Sequence, residues 1–140
     1  MKYINNNFFI EKINANKLAK KFATPLYCYS YEILKKNINN FKLNFSKLNP
    51  LICFAIKSNS NLNIIKEIKK LGLGADVVSI GELMQAIKAG ISPSKIVFSG
   101  VGKSHSELKY AIEKKILLIN SESKSEVFEI EKIAKIKKKL

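Results

Sequence analysis

A lysine at the end of a buried strand can act as a nucleophile, and Lys57 is such a residue. It directly follows the apolar run Leu51–Ile56 and precedes the polar stretch Ser58-Asn59-Ser60-Asn61. An amine half desolvated there keeps a larger free-base fraction, the condition for Schiff-base chemistry with a carbonyl. The same residue is equally readable as a lysine snorkelling from a strand end. Asp76 lies in the next short apolar segment and Glu82 opens the helix after it, so carboxylates could flank that amine. Taken singly, Asp76 is a polar strand-end residue and Glu82 a helix cap.

Other motifs with chemical potential are weaker. Ser99-Gly-Val-Gly-Lys-Ser104 ends in the Gly-Lys-Ser of a phosphate-binding loop, but the first glycine of that loop would fall at Val97, inside a strand. Gly72-Leu-Gly74 precedes its strand, where a dinucleotide fingerprint must follow one, and Val77 stands in the third glycine's place, so it reads as a helix stop and turn. Cys28 and Cys53 show no CxxC spacing and face a single His105. Neither a disulfide framework nor a zinc site follows, and both cysteines read as buried thiols.

The elements that must position these residues alternate regularly. Leu51–Ile56, Ala75–Val78, Lys95–Phe98 and Ile116–Ile119 are short apolar runs, followed by amphipathic segments over 62–71, 82–89, 106–115 and 126–136. Capping-box pairs at Ser79/Glu82, Ser104/Glu107 and Ser123/Glu126 mark helix starts, and Gly72 and Gly90 mark stops. Buried strands that each lead into a helix predict an α/β fold with a parallel sheet and right-handed crossovers. The strand ends Lys57, Ser79, Ser99 and Asn120 are 22, 20 and 21 residues apart. That near-constant step suits a (β/α) barrel, whose eight units need about 250 residues; a small doubly wound sheet is the alternative. Four units in 51–140 amount to half a barrel. Upstream, residues 1–50 form a lead-in, with a short helix over Ile13–Phe22, a strand over Pro25–Tyr29, a helix over Ser30–Phe45 and a turn at Asn49-Pro50.

Composition restricts the class. At 140 residues, 46% hydrophobic and 26% charged, the chain is that of one globular domain. No apolar run reaches the roughly 18–20 residues of a membrane span, and the Asn-rich start lacks a signal-peptide core, so a cytoplasmic protein is expected. The net charge of +14 invites a nucleic-acid reading. Every one of the 25 basic residues is lysine, however, and these are spread over nearly all the helices. Without the arginine fork that reads bases and clamps phosphate, solvated helix faces explain the charge, and no nucleic-acid or membrane partner is expected.

Four segments in order, Phe54-Ala-Ile-Lys-Ser-Asn-Ser-Asn61, Gly74-Ala-Asp-Val-Val-Ser-Ile-Gly-Glu-Leu83, Lys95-Ile-Val-Phe-Ser-Gly-Val-Gly-Lys103 and Ile119-Asn-Ser-Glu-Ser123, resemble the motifs of the diaminopimelate decarboxylase family. These are pyridoxal-phosphate enzymes of the alanine racemase/ornithine decarboxylase barrel type. The resemblance runs from about Thr24 to the last residue. It implies pyridoxal 5'-phosphate as cofactor, Lys57 as the catalytic lysine that binds it covalently, Ala55 as the small residue beside its ring, and Asp76 and Glu82 as acidic cofactor-site positions. It implies no role for His105, because the family's stacking histidine comes later in the chain. The implied reaction removes the carboxylate at the D-centre of meso-diaminopimelate, giving L-lysine and carbon dioxide.

By the same resemblance the stacking histidine, the glycine-rich phosphate-binding segment, the acid that pairs with the ring nitrogen and a second β-domain would lie beyond Leu140. The expectation is therefore an N-terminal fragment, inactive or split, with a homodimeric full-length family or a complementing C-terminal polypeptide as partner. Two other readings stand beside it. One is another pyridoxal-phosphate barrel, alanine racemase-like or a cofactor carrier, which Gly74–Leu83 disfavours; the other is a non-enzymatic basic binding protein, which the scattered lysines disfavour.

Overall fold

The computed structural model describes residues 1–138, which divide into two compact units, Met1–Leu48 and Asn49 onward. The first unit opens with an antiparallel meander: β1 (Lys2–Ile4), β2 (Asn7–Ile10) and β3 (Ile13–Asn14). Asn5 and Asn6 both take positive φ, 47° and 59°, and so make the two-residue turn whose twist matches a hairpin. Asn14 then caps α1 (Ala15–Phe22), accepting the Asn16 N–H at 2.8 Å.

Helix α2 (Tyr31–Asn44) starts at Ser30, whose Oγ accepts the Ile33 N–H at 3.2 Å and donates to Glu11 Oε1 at 2.8 Å. The same oxygen takes the Glu32 N–H at 2.9 Å, so a carboxylate from the meander completes the helix cap. That N–H first, and the serine hydroxyl second, hold the Glu11 carboxyl below its usual range. Two expectations change here. Ile13 and Asn14 pair with β2 before the helix begins, and Pro25–Tyr29 forms no strand. Proline offers no ladder donor, and no described strand pairs with this segment.

The second unit is four βα repeats. Strands β4 (Cys53–Ala55), β5 (Gly74–Val77), β6 (Ile96–Phe98) and β7 (Leu118–Ile119) are parallel and adjacent in sequence order. Helices α3 (Leu62–Lys70), α4 (Ile80–Lys88), α5 (His105–Glu113) and α6 (Lys124–Lys138) follow them in turn, each packed on the next. Phe54, Ile56, Ala75, Val77, Ile96 and Phe98 point to the helix side. With Ile65, Leu83, Ala86 and Ala111 they form the core, all but Phe54 fully buried. A doubly wound sheet would have helices on both faces and a reversal in strand order. Among the described residues of this unit neither is present, and the sequential parallel order is that of consecutive units at the N-terminal part of a (β/α) barrel.

The strands are shorter than their apolar runs. Leu51 and Ile52 precede β4, and Ile56–Ser58 turn as a single 3-10 loop closed by Asn59 N–H to Ile56 O at 2.9 Å. Helix ends follow the glycines: Gly72 and Gly90 have φ of 81° and 90°. The next amides, Leu73 and Ile91, reach back to Ile68 O and Ala86 O. Lys115 takes the same place after α5 with φ 53°, a non-glycine doing a glycine's work.

Gly74 is fixed by a different constraint. A Cβ there would lie 2.2 Å from Lys95 O and 2.9 Å from Cys53 Sγ, because β4 and the turn just before β6 close on β5 at its first residue. Of the two cysteines, Cys28 and Cys53 are both half-buried, not fully buried as expected: Cys53 lies on the sheet face opposite α3, α4 and α5, and Cys28 lies in the irregular 25–29 segment.

Helix starts use the expected residues with one variation. Ser104 and Glu107 form a complete capping box. Glu82 and Glu126 reach one residue further back, accepting the Val78 N–H at 2.9 Å and the Glu122 N–H at 3.0 Å, while Ser79 and Ser123 accept from the glutamate amides. Lys103 and Glu126 join two of these loops in an ion pair of 2.6 Å, with side chains only 1% and 9% exposed. Lys103 Nζ also donates to Gly100 O at 2.6 Å and Asn120 O at 2.8 Å, so all three of its protons are used. Burial raises the Glu126 carboxyl, but the Lys103 hydrogen bond and the Glu122 N–H outweigh it, and the net displacement is downward.

Two stability predictions follow from this packing. Gly74→Ala should lower stability by about 3 kcal/mol through overpacking against backbone. Gly81→Ala, whose added Cβ meets nothing nearer than 3.9 Å, should raise it by about 0.5 kcal/mol; urea midpoints of the two variants test the contrast. Glu126→Gln strands a buried ammonium and should cost about 2–3 kcal/mol at neutral pH. Because the folded-state Glu126 pKa is depressed, that stabilisation is present above the ordinary carboxylate range and is lost as pH falls through the folded value. The gap between wild type and variant, followed by thermal melts, should therefore close as the pH is taken below the ordinary carboxylate range.

Candidate functional site

Parallel strands in one order bring their C-terminal ends to a single edge. Lys57, Ser79, Ser99 and Asn120 all sit one or two residues past their strands at that edge. The register places Ala55 beside Asp76 and Asp76 beside Val97, on the sheet face away from the helices. Cys53 shares that face, where burial pushes its thiol up and the Asp76 carboxylate adds to the effect.

Lys57 is exposed, not half desolvated as expected. The 3-10 turn at Ile56–Ser58 carries it out of the ladder after Ile56, which is completely buried, has turned inward. Among the described residues its amine has no hydrogen bond or ion pair. Ala55, two residues earlier, is half-buried and small. Asp76 is half-buried, and its Oδ1 accepts the Ser99 hydroxyl at 2.6 Å, while Asn120 Nδ2 donates to Ser99 Oγ at 3.0 Å. Asp76 Oδ2 has no partner among the described residues. The sequence marked Ser99 and Asn120 only as strand ends; their recurrence at the same step as Asp76's neighbours was the available signal.

Glu82 stands slightly apart. One oxygen is committed to the Val78 N–H, as in the equivalent Glu126, and the other, Oε1, has no partner among the described residues. Glu107, the third member of this series, ties two helix starts together, accepting the Ser104 and Ile80 N–H groups at 3.0 and 3.1 Å. The Ser104 amide and hydroxyl, with the Ile80 amide, hold its carboxyl below the usual range.

Two further polar residues of the second unit have structural partners. Lys103, the lysine of the Gly-Lys-Ser stretch, is fully engaged with Glu126 and two carbonyls, so no ammonium is available there for a phosphate. His105 opens α5 and pairs through Nδ1 with Glu129 of α6, a helix–helix contact in the outer layer.

The residues at the strand edge fit a pyridoxal cofactor. An unpartnered amine suits an aldehyde, a small residue leaves room for a flat ring, and a carboxylate with a spare oxygen suits a proton donor. Comparison with known proteins agrees. The family described as pyridoxal-dependent decarboxylase, pyridoxal binding domain, matches residues 32–140. A diaminopimelate decarboxylase of Helicobacter pylori is 48% identical over 121 residues, which are 86% of this chain and 30% of that protein. The solved diaminopimelate decarboxylase of M. jannaschii superposes with a TM-score of 0.93 at 38% identity, over 96% of this chain and 32% of that one. The Helicobacter pylori enzyme solved with L-lysine gives 0.84 at 46% identity, over 88% and 31%. The chain thus spans about 30% of the length of the curated relatives it matches. With the matched segment covering all four βα repeats and the strand edge that carries Lys57, the chain belongs to the pyridoxal-dependent decarboxylases, through their pyridoxal binding domain.

Proposed function

We propose that the chain contributes the lysine-bearing part of the cofactor site of a diaminopimelate decarboxylase, which converts meso-2,6-diaminopimelate to L-lysine and carbon dioxide. The observation that carries this reading is the grouping of Lys57, Ala55 and Asp76 at one strand edge, with the lysine amine and one Asp76 oxygen unpartnered among the described residues. Relatives bearing that name, at 42–48% identity, support the choice of substrate.

Pyridoxal phosphate, when bound, supplies the electron sink that makes loss of carbon dioxide from an amino acid feasible. In this reading Lys57 would hold the cofactor through Nζ, and the same amine, once free, could carry a proton to the substrate carbon. Ala55 admits the ring edge, where a larger side chain on the same strand face would fill the space. Asp76 accepts a hydrogen bond through Oδ2, and Glu82 does so through Oε1. The mechanism also needs groups that orient the scissile bond and hold the cofactor phosphate. We assign these to polypeptide outside the four repeats, with 1–50 as lead-in and 51–140 as the first half of the barrel. A homodimer in the cytoplasm completes the proposal, as does negligible turnover by the 140-residue chain alone.

Incubation of the chain with pyridoxal phosphate, borohydride reduction and peptide mapping should place the label on Lys57 out of 25 lysines. Even labelling across surface lysines would remove the site. Carbon dioxide release from meso-diaminopimelate is expected only when the chain is combined with a polypeptide carrying the other two thirds of the Helicobacter pylori relative. Lys57→Ala should lower that release by about a thousandfold or more.

A further inference from the structure

We infer that Ser99 and Asn120 are positioning residues that set the Asp76 carboxylate for the cofactor, an inference that rests on the reading of Lys57, Ala55 and Asp76 as the pyridoxal site. The three side chains form a row across β5, β6 and β7: Asn120 Nδ2 donates to Ser99 Oγ at 3.0 Å, and Ser99 Oγ donates to Asp76 Oδ1 at 2.6 Å. The direction of donation has one solution. An ionised carboxylate only accepts, so the single serine proton goes to Asp76, and Ser99 is left an acceptor that Asn120 can meet only with its amide nitrogen.

The row is not required to hold the strands together. Backbone bonds already join them at this edge, Ser99 N–H to Val77 O at 2.8 Å and Asn120 N–H to Phe98 O at 2.9 Å. What the row adds is orientation. A lone aspartate samples several χ1 wells, whereas one with Oδ1 tied to a neighbouring strand presents Oδ2 in a fixed direction before any ligand arrives. Asp76 itself lies on the sheet face opposite α3, α4 and α5 and is paired in register with Ala55, two residues before Lys57. A short hydrogen bond to a charged acceptor is also among the stronger kinds, so the row should resist displacement by water.

Asp76 is the chain's sole aspartate, so isotope-labelled aspartate gives one carboxyl carbon resonance in the cofactor-free chain. Ser99→Ala should move that resonance, weaken pyridoxal phosphate binding about tenfold by absorbance titration, and reduce the visible circular dichroism of the bound cofactor. Ser99→Thr, which keeps the hydroxyl, should restore all three. Asn120→Ala, at the exposed end of the row, should shift the same readouts in the same direction and decides the matter if Ser99→Ala does not fold. If the wild type is labelled at Lys57 while Ser99→Ala or Asn120→Ala leaves cofactor affinity and dichroism unchanged, the positioning role is overturned and the site reading stands. If the wild type is not labelled at Lys57, both fall together.

Discussion

The whole arrangement depends on a parallel sheet that buries only one of its faces under helices. Alternate residues of β4, β5 and β6 go into the core with the apolar faces of α3, α4 and α5, and most of them are completely buried. Burying a side chain of this size contributes about 1.5–3 kcal/mol, which fixes the register, since a one-residue slip would expose the whole set. Fixing that register leaves Cys53, Ala55, Asp76 and Val97 on the other face, opposite α3, α4 and α5. The chemistry-bearing face is the one that the core does not use.

Sequential strand order does the rest of the positioning. Each helical crossover returns the chain one strand along in a parallel sheet, so every strand-to-helix junction falls at the same edge. These junctions carry much of the polar structure of the unit. Glu82, Glu107 and Glu126 occupy equivalent places in successive repeats, and each satisfies backbone amides at a helix start. The buried Lys103–Glu126 pair closes the loop after β6 against the start of α6. Rigid junctions of this kind make a strand edge suitable for a cofactor site, because groups held by packed elements keep their geometry better than groups on free loops.

Charge, the most conspicuous property of the composition, has little part in this arrangement. The lysines that the structure uses are individual: Lys103 is buried in its ion pair, and Lys57 at the strand edge has no partner among the described residues. Others make helix-surface pairs such as Lys70 with Glu67 and Lys135 with Glu131, which contribute little because both partners stay solvated.

The alternation of apolar runs with amphipathic segments was enough, from sequence, to define four βα units and the helix starts at Ser79, Ser104 and Ser123, because those signals are local. Lys57 was legible as a candidate for the same reason, standing at a step in the repeat, and Asp76 as a carboxylate within the strand that follows it. The N-terminal meander was not legible, since Asn5-Asn6 looks like loop composition until two strands pair across it. Pro25–Tyr29 has strand-forming residues and no described partner strand. Only the tertiary structure could decide the exposure of Lys57, which a 3-10 turn removes from the ladder, and the need for glycine at 74, where a carbonyl from the segment before β6 lies in the way. It alone shows that Asp76, Ser99 and Asn120, each more than 20 residues from the next, form one hydrogen-bonded row. Periodicity specifies which residues face the core; which polar groups meet across strands depends on register, and register is a property of the assembled sheet.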